Sequence, residues 1–384
     1  MRHENTVFHG LTKHLPWSVF DRFVEEHRTD HRVRRLDTKS QFLAMLYGQL
    51  TGSVSLREIE AGLASHSARL YHLGAKPAAR STLADANANR SWKVFGKLFS
   101  HMAAKASRST RRSMADAVRI LDATHIRLSD LSKDWALCRN QSSVVKLHLV
   151  LDGCEETPLN AKVTPDTVGD ITVGRTITIE PGATYVFDLA YYDYGWWAKM
   201  HAERCRFVSR LKTNTRLTQV EQRTVREGTN IKSDCIGLLP QRMARSRQNP
   251  FSDPVREITV TLETGKTIRI VSNDLDAPAE EIADLYKQRW KIELFFKWIK
   301  QNLKIKRFLG TSENAVRIQI FVALITYLLL RIVHGSQKAV KQLITFTRLI
   351  KSNLMHRRNI NQLQKPKEPI PIIQKQMRLE LEKC

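Results

Sequence analysis

Residues 285–301 read LYKQRWKIELFFKWIKQ. The stretch carries Tyr286, Arg289, Glu293 and Lys300, at intervals of three, four and seven. An α-helix turns about 100° per residue, so these intervals predict four side chains within a stripe about 60° wide. That stripe would hold one carboxylate, two cations and a phenol. Ile292, Phe295, Phe296 and Ile299 flank it and can anchor the helix to a core. A carboxylate between two cations on one line suits an acid that holds a metal beside a phosphodiester. The competing reading is a solvated helix face with ordinary i,i+4 ion pairs.

Two other stretches bear on the choice. Residues 118–128, VRILDATHIRL, favour a strand through their β-branched and apolar residues. Asp122 falls in its middle, where a lone carboxylate is costly to bury. Residues 184–190, TYVFDLA, form a second strand-like run with Asp188 near its end. Two strand carboxylates and a helix glutamate can converge on a pair of divalent ions, and oxygen ligands suit Mg²⁺ or Mn²⁺.

In this order the motifs resemble the DDE transposases of bacterial insertion sequences, in family four of that classification. Tyr286-x2-Arg289-x3-Glu293-x6-Lys300 matches the YREK signature of that family. Asp122 in LDAT and Asp188 in VFDLAYYDY match its first and second aspartates. The resemblance runs through nearly the whole chain and includes an N-terminal helical domain found in one branch. It implies an α/β fold: a ribonuclease H-like catalytic core with a β-rich insertion, after a helical N-terminal domain and before a basic helical C-terminal segment. It implies a DNA-cleaving enzyme that cuts at terminal inverted repeats and joins 3′ ends to target DNA. Asp122, Asp188 and Glu293 would be catalytic and would hold Mg²⁺, with Mn²⁺ as a substitute. Tyr286, Arg289 and Lys300 would hold the DNA end through phosphates, contacts that orient without reading sequence. The implied partners are double-stranded DNA and a second copy of the chain in the synaptic complex, in a bacterial cytoplasm beside the nucleoid. One departure stands out. Some relatives carry a tryptophan in the insertion to hold a flipped base, but none occurs here between Trp197 and Trp290. Phe251 is the sizeable aromatic candidate left.

Composition agrees with a polyanionic partner. The 384 residues leave room for two or three domains and a large core. Against 38 acidic residues stand 62 basic ones, a net charge of +24, which points to nucleic acid. No basic amphipathic helix with an aromatic anchor favours a membrane surface. Cys138, Cys154, Cys205, Cys235 and Cys384 form no C-x-x-C pair and are odd in number, against a disulfide framework or zinc site. The N-terminus, MRHENTVFHGLTKHLPW, has no apolar core and does not read as a signal peptide. Residues 318–333, IQIFVALITYLLLRIV, are apolar nearly all round but fall short of the ~20 residues of a membrane span. They read as a buried core helix.

The chain divides into a helical segment over 1–112, a catalytic core over 113–333 with an insertion at about 212–275, and a basic segment over 334–384. Ser40–Leu50, a Thr51-Gly52-Ser53 break and a helix capped by Ser55 and Glu58 outline a helix-turn-helix. A plain helical bundle has the same outline. Arg57, Arg69, Arg80 and Arg90 are its candidate DNA contacts. The basic run 105–113 reads equally as linker or phosphate contact. Strands are expected at 118–128, 144–151, 158–163, 184–187 and 207–211, with a hairpin over 256–271 turning at Thr264-Gly265. Residues 166–181 suit a strand by type, whereas the implied core wants a short helix there. Tyr194–Arg204 reads as a helix with Trp196 and Trp197 in the core. Pro278, Glu280 and Glu281 open the glutamate helix, expected to run to about Asn302. Lys304, Lys306 and Arg307 follow it. The last segment, 331–384, carries twelve Lys or Arg against three Glu and an extended KPKEPIPI run. It suits DNA or dimer contacts, or a solvated tail.

Three rivals remain at this stage: a nuclease of the same fold that cuts without joining, a DNA-binding regulator descended from a transposase, and a Cys/His enzyme. The complete signature with all three carboxylates argues against the regulator. The spacings of His125, His148, Cys138 and Cys154 fit no metal or nucleophile pattern.

Overall fold

Val118–Arg127 forms β1, the strand from which the sheet grows in both directions. The computed structural model describes residues 5–108, 117–136, 143–242, 247–303, 305 and 307–364. The end of the basic run at 105–113, Cys138, Lys304, Lys306 and the KPKEPIPI tail with Cys384 lie outside the described residues. Val144–Asp152 is β2, Pro158–Pro165 β3, Thr184–Val186 β4 and Arg206–Arg210 β5. Thr218–Arg223, Ile231–Leu238, Val255–Thr261 and Thr267–Ser272 are β6 to β9. All nine form one mixed sheet in the order β3-β2-β1-β4-β5-β9-β8-β7-β6. β1 pairs with β4 and β4 with β5 in parallel, and the other neighbours are antiparallel. The expected meander, hairpin and fifth strand are all present. Gly265 takes φ 79° in the hairpin turn, a left-handed conformation that glycine adopts without a Cβ clash.

Helices pack on this sheet and beyond it. Val7–Thr12, Trp17–Glu26, Thr38–Thr51, Leu56–Ala64, Ser67–Leu70, Arg80–Asn89 and Lys93–Arg108 are α1 to α7. Lys133–Ala136, Asp170–Gly174 and Tyr194–Ala202 are α8 to α10. The ambiguous stretch 166–181 is thus helical at its centre. Ile171, Ile177 and Ile179 pack against one buried cluster instead of lying in a ladder. Trp196 and Trp197 are buried in that cluster, as expected. Ala279–Lys287, Trp290–Asn302, Glu313–Gly335 and Leu343–Asn353 are α11 to α14.

The local rules hold at the N-terminal turn. Ser55 Oγ accepts the Glu58 amide at 3.2 Å, while Glu58 Oε2 accepts the amide of Val54 at 2.8 Å. The capping pair therefore closes one residue earlier than the standard box. Gly52 ends α3 at φ 74°.

α13 is the axis of the helical part. It is long and apolar enough to cross a membrane, but 83% of its most apolar window is buried inside the protein. It packs on α7, α3, α6, α12, α14, α1 and β3. Each fully buried Leu, Ile or Phe contributes roughly 1.5–3 kcal/mol, so this helix holds a large share of the core. Trp92 stacks on Phe321 with ring centroids 5.4 Å apart, and Asn314 bonds the Trp92 amide at 3.0 Å. One hydrophobic cluster runs from Val7 through β1 and α13 to Leu363. The ends meet as well: the Val7 and Phe8 amides donate to His356 and Leu354 carbonyls at 3.0 and 2.8 Å.

Candidate active site

The parallel pairing of β1 with β4 runs as far as Ile120↔Val186. Asp122 and Asp188 each lie two residues further along. Both carboxylates therefore emerge at the same level, at the carboxyl end of a parallel pair, where open α/β sheets hold their ligands. Period two puts Asp122 on the strand face that carries Ile120, Thr124 and Ile126. That face meets α12, whose Ile292, Phe296 and Ile299 join the same cluster.

The glutamate helix is not continuous, which corrects the single stripe expected from the sequence. α11 ends at Lys287 and α12 starts at Trp290. At the joint the amides of Arg289, Lys291 and Ile292 bond carbonyls three residues back, at 3.0, 2.9 and 3.2 Å. This is a 3₁₀ tightening of the helix. Its cause is a change of surface. α11 buries Ile282, Leu285 and Tyr286 toward β5, β7, β8 and β9, whereas α12 buries Ile292, Phe295, Phe296 and Ile299 toward β1 and α13. Tyr286 thus sits on α11, Arg289 at the joint, Glu293 in the first turn of α12 and Lys300 in its last turn.

Arg289 stands between two of the carboxylates. Its Nη1 lies 3.4 Å from Asp122 Oδ2 and its Nη2 donates to Glu293 Oε1 at 2.5 Å. Its Nε is buried and has no hydrogen-bond partner among the described residues. Tyr286 is 9% exposed, and the guanidinium carbon lies 6.0 Å from its ring centroid. Asp122 Oδ1 accepts the Ala123 amide at 2.7 Å. Asp188 Oδ1 accepts the Ala190 amide at 2.9 Å and so caps a 3₁₀ turn over Leu189–Tyr191. Lys300 Nζ donates to Thr124 Oγ1 at 2.5 Å and to the His125 carbonyl at 3.1 Å. Asp122, Thr124, Glu293, Lys297 and Lys300 share an open cleft of about 420 Å³, whose lining does not include Asp188.

The electrostatics bind these groups together. Burial pushes the Asp122 carboxyl up to about 6, and the charges of Asp188 and Glu293 act in the same direction, against the Ala123 amide and Arg289. Burial alone would lower the Arg289 guanidinium, but Tyr286, Glu293 and Asp122 raise it above its ordinary value. Burial raises the Tyr286 phenol, with Arg289 and Arg210 opposing. The Asp188 charge acts on Asp122, Tyr191 and Tyr286 alike.

Three hard carboxylate donors suit Mg²⁺ or Mn²⁺ by type. Among the described residues, however, no group of three or more His, Cys, Asp or Glu side chains stands close enough to hold a metal ion.

Other expected residues fall elsewhere. Phe251 is 3% exposed and packs edge-on against Phe207, so burial removes it as a holder of a flipped base. Arg90 donates to Gln41 Oε1 at 3.1 Å and to the Leu36 carbonyl, and Arg69 to the Met355 carbonyl. These internal bonds tie α6 to α3 and the helical segment to the chain after α14, whereas Arg57 and Arg80 are exposed. His148 Nε2 meets Thr164 Oγ1 at 2.8 Å inside the protein, and the exposed His125 has its Nε2 2.9 Å from Asp166 Oδ1. Thr124 and Arg210 were not anticipated. Thr124 follows Asp122 by two, so strand period marks it. Arg210 lies two residues past Val186↔Val208, the position in β5 that Asp188 takes after β4. Only the sheet order reveals it.

Residues 114–329 match the model of a family described as a transposase DDE domain. Residues 3–76 match a second model, described only as a domain of unknown function. A Sinorhizobium fredii protein named "Putative transposase y4zB" is 40% identical over 284 residues, covering 74% of this chain and 80% of that protein. The Geobacillus stearothermophilus protein named "Probable transposase for insertion sequence element IS5377" is 30% identical over 249 residues, 64% of each chain. A cryo-EM structure of a piggyBac transposase synaptic complex with hairpin DNA aligns over 90% of this chain at 12% identity and TM-score 0.46, below the level that assigns a fold. A family match across more than half of the chain, with 40% identity to most of one relative, establishes that this protein belongs to the DDE transposase family.

Proposed function

We propose that this transposase, a member of the YREK family, cuts DNA at the terminal inverted repeats of an insertion sequence and joins the freed 3′ ends to target DNA. Asp122, Asp188 and Glu293 are its catalytic carboxylates and divalent-metal ligands. The observation that carries the reading is that Asp122 and Asp188 stand level just past the parallel β1–β4 pairing, while Arg289 joins Asp122 to Glu293 on α12. The order β3-β2-β1-β4-β5, antiparallel then parallel, supports a ribonuclease H-like core, and β6 to β9 correspond to the β-rich insertion.

Each residue then has a task. Asp122, Asp188 and Glu293 would hold Mg²⁺, or Mn²⁺ in its place, and the ion would supply charge neutralisation for phosphodiester displacement. Arg289 is the bidentate phosphate ligand, and Lys300 a point charge held toward the cleft by Thr124. Tyr286 packs beside Arg289 and orients it. Hydrolysis breaks the phosphodiester at the element's end and leaves a 3′-hydroxyl. In joining, that hydroxyl attacks a target phosphodiester and expels a new 3′-hydroxyl, so no covalent enzyme intermediate is needed. The net charge of +24 supports binding to duplex DNA, with two copies of the chain holding two ends in synapsis.

The test is Mg²⁺-dependent cutting and joining of a duplex carrying the inverted repeat that flanks the gene. Glu293→Gln should abolish both while sparing end binding. Retained cutting would remove Glu293 from the site. Cutting without joined products would favour a nuclease.

A further inference from the structure

We propose that Arg289 is a built-in occupant of the metal site, an autoinhibitory contact that holds the carboxylates together and withholds them from a divalent cation until a phosphate draws the guanidinium away. The inference rests on the metal-ligand reading of Asp122 and Glu293 given above.

Charge comes first. Asp122 and Glu293 line one cleft, and the charges of Glu293 and Asp188 both act on the largely buried Asp122 carboxyl. Such a cluster is costly without a cation. Arg289 supplies one, touching Asp122 and Glu293 from a single planar fork. A divalent ion bound to the same two carboxylates would meet a guanidinium at contact distance, and the two positive charges exclude each other.

The seat is incomplete, and that is what makes it reversible. The contact to Asp122 is 3.4 Å, long for a charged hydrogen bond, and the buried Nε has no partner among the described residues. A phosphate could offer Arg289 a better-matched partner. The residue also stands at the joint between α11 and α12, where the backbone has already left regular α-helical bonding. A short 3₁₀ stretch inside a helix is a frequent hinge. Arg289 can therefore swing from carboxylates to a phosphodiester with little cost to either helix.

The consequence is linkage. DNA would raise the affinity for cation, and cation would raise the affinity for DNA, by the same factor. The free protein would not load metal and cut DNA at random.

The experiment measures Mn²⁺ binding to the full-length protein without DNA, by electron paramagnetic resonance of the free ion. It compares wild type, Arg289→Gln, and Arg289→Gln combined with Glu293→Gln. Arg289→Gln should bind Mn²⁺ at least tenfold more tightly than wild type, and the double variant should lose that gain. Equal or weaker binding by Arg289→Gln overturns the proposal and leaves the metal reading standing. A gain that survives Glu293→Gln overturns the metal role of Glu293, and the proposal with it. Arg289→Lys guards against misfolding, because it keeps the charge and loses the fork. It should gain affinity in the same direction but by less, and no gain in a folded Arg289→Lys protein also counts against the proposal.

Discussion

Two arginines in this molecule each sit between two carboxylates, and they are built to different standards. Arg119 on β1 is 1% exposed. Its Nη1 reaches Asp152 Oδ2 at 3.0 Å, and its Nε and Nη2 take both oxygens of Glu180 at 3.3 and 2.8 Å. Asp152 is satisfied further by the Cys154 and Glu155 amides, each at 3.0 Å. Arg289 has a side chain 20% exposed, one long contact, an Nε without a partner among the described residues, and a third carboxylate nearby. The first arrangement commits all three of its nitrogens to the fold. The second leaves its Nε without a partner among the described residues. Completeness of hydrogen bonding, more than residue type, separates a structural ion pair from a working one.

The widest separation is expected between the aspartates. Asp122→Asn should lower cutting by roughly a thousandfold or more, about 4 kcal/mol at 1.36 kcal/mol per tenfold, with thermal melting little changed. Asp152→Asn should do the reverse, lowering the melting temperature while the folded fraction cuts normally. Equal effects of the two on cutting would erase the distinction.

Next in size is Arg119→Met. It leaves two partly or fully buried carboxylates without their cation, a loss of about 3–5 kcal/mol in urea unfolding. Arg289→Gln, at a more exposed and less completely bonded seat, should cost less than Arg119→Met. Similar losses for both would show that exposure and unfilled donors do not matter here.

His148 extends the comparison to a sealed group with one bond missing. Its Nδ1 lacks a hydrogen-bond partner among the described residues, with Asp170 3.9 Å away. Burial lowers its imidazolium to about 4, against an ordinary 6.5. The folded state then binds fewer protons than the unfolded state between those values. The stability His148 contributes is present above pH 6.5 and is lost as pH falls toward 4, by up to about 3 kcal/mol at 1.36 kcal/mol per unit. Melting temperature against pH, for wild type and His148→Gln, checks this. Parallel curves would mean that His148 does not titrate as a sealed group.

The smallest effect is expected at Lys300. Lys300→Ala should weaken DNA binding and reduce the slope of log affinity against log salt by about one. An unchanged slope would place Lys300 with Arg119, as a structural cation holding Thr124.

Much of this was legible in order along the chain. β1, β2, β3, the 255–272 hairpin and the buried α13 follow from period-two and all-round apolar patterns, which local sterics and burial impose directly. Asp122, Asp188 and Glu293 stood out because a carboxylate in an apolar run needs a reason to be there. The joint at Gln288–Arg289 was not legible. Every residue from Ala279 to Asn302 tolerates a helix, and the break arises because two segments bury against different surfaces. Nor did residue type separate Arg69 and Arg90, bound inside, from Arg57 and Arg80, which face outward.

The sequence by itself determined seven of the nine strands, the core helix, the positive charge and the identities of the candidate carboxylates, because these rest on local periodicity and side-chain chemistry. Only the tertiary structure decided which of its arginines is sealed and which is less completely bonded, where the glutamate helix bends, and that Arg210 stands level with Asp188. Those outcomes depend on contacts between residues far apart in the chain. No local pattern encodes the number of partners a side chain finally meets.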